Sequence, residues 1–333
     1  MQAAKRVSIH VIGNDFGNLF SDFLSSLKEQ TLQDFQLAIV DNATLEGAGS
    51  LDERSNAVVL RNIKKQSFSR CHNQLIRLAL ARWQNVDAAD RFILITRPDA
   101  ILSPKTLEYL VDVMEKDPKC GMAVPRLLRA KIAFVEDGER HEFNLTREEL
   151  SRGYALTRGR RIIPAAAKEG ETSLQPFAPT PQAFLVRAAA LKETGLELDE
   201  LFSEVPAVLD LTWSLRLSGW LVGEAPEATI WLEPYQESIR IPACMRFASA
   251  PAIDECIEWR FVQTKNDNAF LRIKHAPWIL AASGLFFLRL ALRPWNVFRS
   301  LQKLALYAKI RGKRRKRDRS RVPTREIQER WFI

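Results

Sequence analysis

The sequence has few cysteines, few histidines and no apolar run long enough to cross a bilayer. Cys71, Cys120, Cys244 and Cys256 are scattered without a CxxC pair. A disulfide framework is therefore not indicated, and reduced thiols in a cytoplasmic chain are the expectation. The four histidines, His10, His72, His141 and His275, offer no zinc-ligand spacing with those cysteines. The 14 Gly and 16 Pro show no period, which excludes collagen-like and repeat architectures. The N-terminus enters a strand-like run, Val7 to Ile12, without the apolar core of a signal peptide. The most apolar stretch runs from Trp278 to Leu288 and is followed by Arg289 and Arg293. A span needs roughly 18–20 apolar residues, so this one is too short. It reads either as a buried helix or as a helix lying in the membrane interface, anchored by Trp278 and Trp295.

What is present is an ordinary globular composition. Of 333 residues, 46% are hydrophobic and 27% charged, enough for one large domain with an extension or for two modest ones. The net charge of +9 is local: residues 309–325 carry ten Lys/Arg and one acid, and the rest balances to zero. Up to about residue 125, β-rich runs alternate with amphipathic helical stretches. The strand-like runs are 7–12, 36–41, 57–61, 91–96 and 122–125. The helical patterns are 19–29, 71–83 and 104–116, the last opened by Ser103 as cap and Pro104 as first helical residue. This alternation predicts a three-layer α/β fold with a mainly parallel sheet. Ligands of such sheets sit at the carboxyl ends of the strands, where Asp41 and Asp99 fall. Residues 137–178 read as a charged, loop-rich insertion. Beyond it come a strand at 183–187, helices at 188–194 and 210–217, and strands at 221–223 and 229–232. After about residue 236 the pattern is helical up to the basic end.

Five stretches then carry a resemblance. Leu37-Ala38-Ile39-Val40-Asp41-Asn42-Ala43-Thr44, Phe68-Ser69-Arg70-Cys71-His72-Asn73-Gln74 and Ile93-Leu94-Ile95-Thr96-Arg97-Pro98-Asp99 are the first three. Val124-Pro125-Arg126-Leu127-Leu128 with Asp137-Gly138 is the fourth, and Asp210 to Trp220 the fifth. In this order and spacing they resemble the family 2 glycosyltransferases of GT-A fold, and in particular the bacterial rhamnosyltransferase-like branch. The resemblance covers about residues 5–235. It implies a GT-A three-layer α/β/α sandwich at 1–235; beyond it the residues themselves read as a helical, membrane-apposed extension at 236–308 and a basic tail at 309–333. It also implies sugar transfer from a nucleotide-sugar donor to a cell-envelope or polysaccharide acceptor.

Such a reaction needs a cation facing the leaving diphosphate and a carboxylate to take the acceptor's proton. The resemblance nominates Asp41 for the nucleobase or ribose, against a plain turn-forming Asp. It places Asn14, Asn42 and Arg70 on the nucleotide. Asn73 reads as a residue fixing its helix against the first loop. Asp99 is the candidate metal ligand, but the acid or amide usually two positions earlier is Arg97. An Arg there pairs with the lone carboxylate and repels a divalent cation, and in a metal-free site it faces the diphosphate itself. The family's Glu-Asp pair, the second member usually the base, is Ala207-Val208 here. Its later Arg is Ser214, and its metal-binding His is Leu232. Mg or Mn is thus weakened as a cofactor by Arg97 and Leu232, and Asp210 and Glu204 are left as candidate bases.

Three readings follow. One is an active glycosyltransferase with a modified site, in which Arg97 can stand in for a metal. Another is an inactive relative that binds a nucleotide sugar or a partner glycosyltransferase. The third is a nucleic-acid binder acting through the basic tail, which no RNP, KH or helix-turn-helix signature supports. The basic run Lys313 to Arg321 adjoins the apolar stretch, and two adjacent membrane signals suit peripheral anchoring at the inner face of the cell membrane. An anionic membrane surface reached through 278–325 and a glycan or lipid-linked acceptor are the partners this implies. Arg158-Gly159-Arg160-Arg161 reads either as a contact for an acidic acceptor or as an exposed loop.

Overall fold

A computed structural model describes residues 5–13, 19–44, 57–134, 141–165, 176–233, 250–266, 269–281, 322, 327 and 331–332. Asn14, Asp137, Gly138, Trp295 and, apart from Val322, the basic run 309–325 lie outside them.

The strands are β1 (Val7–Gly13), β2 (Phe35–Asn42), β3 (Val58–Asn62), β4 (Phe92–Thr96), β5 (Ile101–Leu102), β6 (Cys120–Phe134), β7 (His141–Ser151), β8 (Tyr154–Leu156), β9 (Ile162–Pro164), β10 (Ala183–Arg187) and β11 (Leu221–Leu232). The helices are α1 (Leu19–Lys28), α2 (Phe68–Arg82), α3 (Thr106–Lys116), α4 (Ala188–Thr194), α5 (Glu204–Leu217), α6 (Ala250–Asn266) and α7 (Ala269–Lys274). The main sheet runs β3-β2-β1-β4-β10-β6-β11-β5, with β7 added to β6, and β8 pairs with β9 in a small second sheet. β3, β2, β1 and β4 are parallel, and β6 and β11 are parallel to each other. β10 runs antiparallel between the two sets. The carboxyl ends of β1, β2 and β4 thus share one edge, and β10 starts there, with Ala183 opposite Thr96.

Alternation along the buried strands divides the core between two faces. Ile93, Ile95, Phe184 and Val186 face α2 and α5, while Phe92, Leu94, Ala183 and Leu185 face α1 and α3. The helices α6 and α7 join the first face through Trp259, Val262 and Leu271, around the fully enclosed Trp213.

Several sequence expectations are corrected. The insertion at 137–178 contains strands. β7 pairs antiparallel with β6, which extends to Phe134 rather than stopping at Pro125. Cross-strand ion pairs, Arg126 with Glu149 at 2.9 Å and Arg129 with Glu148 at 2.7 Å, occupy positions where an apolar alternation would have signalled the strands. β11 is one strand with an irregularity between Ala225 and Thr229. The helix α3 starts at Thr106 without a side-chain cap, and the Leu107 N–H instead donates to Gln30 Oε1 at 3.1 Å. The helix α5 starts at Glu204, which Pro206 tolerates because first-turn N–H groups have no partner within a helix. Its end is set by Gly219 at φ +95°, a left-handed position that suits glycine.

The few described residues near the chain's far end pack against the body. Ile327, Trp331 and Phe332 are buried in the main core, and Phe332 bridges to Leu156. The Arg160 guanidinium lies 4.1 Å over the Phe332 ring and meets His275 Nδ1 at 2.9 Å. Arg160 is thus a buried structural arginine, not an acceptor contact, whereas Arg158 and Arg161 are exposed. Among the described residues no helix is long and apolar enough to cross a membrane.

Candidate functional site

The shared strand edge gathers most of the residues singled out by sequence. Asp41, next to last in β2, is fully buried. Its Oδ1 accepts from the Thr44 N–H at 3.0 Å and the Thr44 hydroxyl at 2.8 Å, and Arg61 approaches Oδ2 at 3.4 Å. The carboxylate thereby fixes the turn in which Ala43 takes φ +61°. Asn42 clasps the next loop: its Oδ1 accepts from the Gln66 N–H at 2.8 Å and its Nδ2 donates to the Gln66 carbonyl at 3.1 Å. Arg70 stands exposed in the first turn of α2, where Ser67 Oγ accepts its N–H. Asn73 does fix α2, but against Leu198 rather than the first loop. It donates to the Leu198 carbonyl at 2.8 Å and accepts from the Leu198 N–H at 3.0 Å.

Just past β4, Arg97 and Asp99 form a two-pronged ion pair. Nε donates to Oδ1 at 2.8 Å and a terminal nitrogen donates to Oδ2. A planar fork matched to a carboxylate in this way is the strong form of the interaction. Glu204 stands at the exposed start of α5, within range of the Arg97 charge. Desolvation pushes its carboxyl above the ordinary value, and the Arg97 charge partly offsets that. Three polar atoms at the same edge are buried without a partner: Thr96 Oγ1, Thr180 Oγ1 and Gln182 Oε1. Unpaired buried acceptors and hydroxyls are uncommon.

Asp210 is elsewhere. It sits six residues along α5, roughly 9 Å from Glu204 at 1.5 Å per residue. Lys265 Nζ donates to its Oδ2 at 2.6 Å and Asn266 Nδ2 to its Oδ1 at 2.7 Å. Lys265 also reaches Asp199 at 3.4 Å. The Ser203 N–H and hydroxyl donate to Glu258 Oε2 at 2.7 and 2.6 Å, so α6 grips α5 at its start and at its middle. Lys265, Asn266 and Glu258 escaped sequence reasoning, since nothing in a helical pattern announces a partner more than fifty residues away.

A divalent cation does not fit these residues. Both Asp99 oxygens meet the Arg97 fork, and Leu232 is a buried hydrocarbon. Among the described residues no group of three or more His, Cys, Asp or Glu could hold an ion.

No protein-family model matches the chain, and no curated protein matches it. Solved structures do. A structure of GalNAc-T7 with UDP, GalNAc and Mn2+ aligns with a TM-score of 0.55 at 12% identity, over 80% of this chain and 48% of that one. Two structures of S. aureus TarS align more loosely, with TM-scores of 0.45 and 0.42. Their identities are 11% and 14%, over 82% and 76% of this chain and 69% and 41% of theirs. This chain spans about half the length of the GalNAc-T7 chain. At such identity the likeness is one of fold, and it agrees with the strand order and layering: the chain has the GT-A glycosyltransferase fold.

Proposed function

We propose that the chain is a glycosyltransferase that moves a hexosyl or deoxyhexosyl unit from a nucleotide-sugar donor to a glycan acceptor of the cell envelope. The observation that carries this is the Arg97–Asp99 fork just past β4, with Glu204 near enough for the Arg97 charge to act on its carboxyl. The acceptor hydroxyl oxygen attacks the anomeric carbon and its proton passes to Glu204. The bond from that carbon to the diphosphate oxygen breaks, and its electron pair stays with the diphosphate. Arg97, its fork set by Asp99, meets the growing charge. Arg70 at the first turn of α2 is a second cation on that edge. Asp41 and Asn42 shape the nucleoside end by holding their turn and loop, and the family resemblance adds Asn14 to the residues that would contact the nucleotide. Asp210 holds α6 rather than taking the proton. The rhamnosyl character of the donor and a lipid-linked acceptor at the inner face of the cell membrane, approached through residues 278–325, complete the proposal.

One observation favours a second reading. Ala207 and Val208, at the positions of the family's Glu-Asp pair, are sealed in the core, which suits a protein that binds a nucleotide sugar without turning it over. Calorimetric titration with UDP, GDP and dTDP, each with and without Mn2+, tests the donor site. Metal-independent binding of one nucleotide, weakened by Arg97→Ala and unchanged in Glu204→Gln, supports it. Transfer that persists in Glu204→Gln would remove Glu204 as the base. No binding of any nucleotide would overturn the donor site altogether.

A further inference from the structure

The first turn of α5 is not held by its own cap. Ser203 precedes it in an extended conformation, φ −66° and ψ 173°, where a serine hydroxyl ordinarily accepts the N–H of the second or third helical residue. The third residue here is Pro206, which has no N–H, and the Ser203 side chain makes no capping bond. Its hydroxyl donates instead to Glu258 Oε2 on α6 at 2.6 Å, and its own N–H donates to the same oxygen at 2.7 Å. Ser203 is exposed and Glu258 is buried. A carboxylate from a helix 55 residues further along the chain therefore takes both donors of the residue before Glu204.

The contact opens a polar seam between the two helices. Seven residues further along each of them, Lys265 Nζ donates to Asp210 Oδ2 at 2.6 Å. Asn266 Nδ2 donates to Asp210 Oδ1 at 2.7 Å, and the Ser214 hydroxyl donates to Asn266 Oδ1 at 3.1 Å. Matching steps on both helices mean that α5 and α6 run side by side in one direction. Of these polar contacts, that of Glu258 is the one that reaches the first turn. The segment leading into α5 is fastened from α2: Asn73 holds Leu198, and the Ser69 hydroxyl donates to the Phe202 carbonyl at 3.5 Å. At Ser203 the hold passes from α2 to α6.

We infer that Glu258 is a positioning residue for Glu204, fixing the turn that keeps this carboxyl within range of the Arg97 charge. An acceptor that takes a backbone N–H fixes the orientation of the peptide as well as its place, and a carboxylate makes both bonds stronger than a neutral acceptor would. The inference rests on the reading of Glu204 as the proton acceptor, but its first test reads the carboxyl itself and needs no substrate.

The experiment follows the Glu204 side-chain carboxyl carbon by NMR during a pH titration of the full chain, the signal being identified by its loss in Glu204→Gln. In the wild type desolvation holds the midpoint above the ordinary glutamate value. Glu258→Ala should lower the midpoint toward that value, because a released turn lets water reach the carboxyl. Ser203→Ala, a change at an exposed position that keeps the test open if Glu258→Ala does not fold, should lower it by less. Glu258→Gln should hold the wild-type midpoint, since its amide oxygen still accepts both donors. Ser214→Ala loosens the same seam beyond the first turn and should leave the midpoint in place. Unchanged midpoints in both Ser203→Ala and Glu258→Ala would overturn the inference. So would an equal fall in Glu258→Gln, which would trace the effect to the lost charge, or in Ser214→Ala, which would trace it to general loosening. In transfer from a UDP-, GDP- or dTDP-sugar, Glu258→Ala should lower kcat about 10- to 100-fold and leave the donor KM within about twofold, with Glu258→Gln restoring most of the rate. A lowered midpoint with an unchanged kcat would remove Glu204 as the base and leave Glu258 as the residue that positions it.

Discussion

Two carboxylates that the family resemblance singles out, Asp99 and Asp210, both end in ion pairs, yet they do opposite jobs. Asp99 finds its cation two residues away, at the open strand edge. Asp210 finds Lys265 at a separation of 55 residues, beneath the helices. The first pair leaves an arginine positioned where a ligand can reach it. The second ties an extension helix to the sheet's cover. An aspartate retained at a family position can therefore mark either chemistry or assembly, and only its partner tells which.

The sharpest way to break this contrast is to remove one member of each pair. Arg97→Ala should lower transfer, or nucleotide affinity if transfer is not yet assayable, by about 100- to 1000-fold, the usual loss of one fixed donor facing developing charge. Asp210→Ala should leave nucleotide affinity within about threefold and instead lower the unfolding free energy by about 3 kcal/mol, the low end for splitting a buried pair because Lys265 keeps part of its side chain in water. Urea titration reads the second effect. A folded Asp210→Asn protein with abolished transfer would collapse the distinction. Asp210→Leu/Lys265→Met should recover only part of the lost stability, since the buried Asp199 carboxylate then loses its contact with Lys265.

How far the sequence reached follows the same division. The N-terminal strands and helices were legible because each is a run of local periodicity: β10 and α4 were placed to the residue, and β1, β2 and β4 to within one or two. The Arg97–Asp99 pair was legible because its members are two residues apart. The hairpin of β6 and β7 was not, since cross-strand pairs such as Arg126 with Glu149 replace the apolar alternation. Neither was the grip of α6 on Asp210, nor the return of the chain end. A Trp-Phe pair following a polycation was the available signal for that return, because two large aromatics are seldom left in water. Arg160 was read with its charged neighbours, although its φ of +60° and its place under Phe332 separate it from them.

A third pairing sharpens the comparison by holding charge out altogether. His10 on β1 and His72 on α2 are enclosed between strand and helix, with Ser8 Oγ 3.0 Å from His10 Nε2. Desolvation holds both rings well below the ordinary imidazole value, His72 to about 3, and the proximity of His72 adds to the effect on His10. The folded state accepts the neutral forms, while the unfolded chain takes up protons below about pH 6.5. Stability should therefore be full above pH 6.5 and fall as the pH drops toward 3, by about 1.4 kcal/mol per pH unit for each ring. His72→Phe should roughly halve the part of the slope owed to histidines in urea titrations between pH 6.5 and 5. An unchanged slope would mean that these rings are hydrated and chargeable in the folded state.

The smallest effect belongs to a pair that has neither burial nor a ligand to meet. Arg77 forks onto Glu197, with Nε 2.8 Å from Oε1, and stands 58% exposed. Its geometry resembles that of the Arg97–Asp99 pair. If two-pronged geometry alone fixed the value of an ion pair, Arg77→Ala and Arg97→Ala would cost the same. Water around Arg77 screens the attraction and already solvates both ends, so Arg77→Ala should cost only about 0.2–1 kcal/mol of stability, less at high salt, and change nucleotide binding not at all. A larger loss would point to the segment carrying Glu197 and Leu198, which Asn73 also holds, as a support of α2 and of the Arg70 edge at its first turn. That outcome would move part of the donor site's stability from the strand edge to the helix beside it.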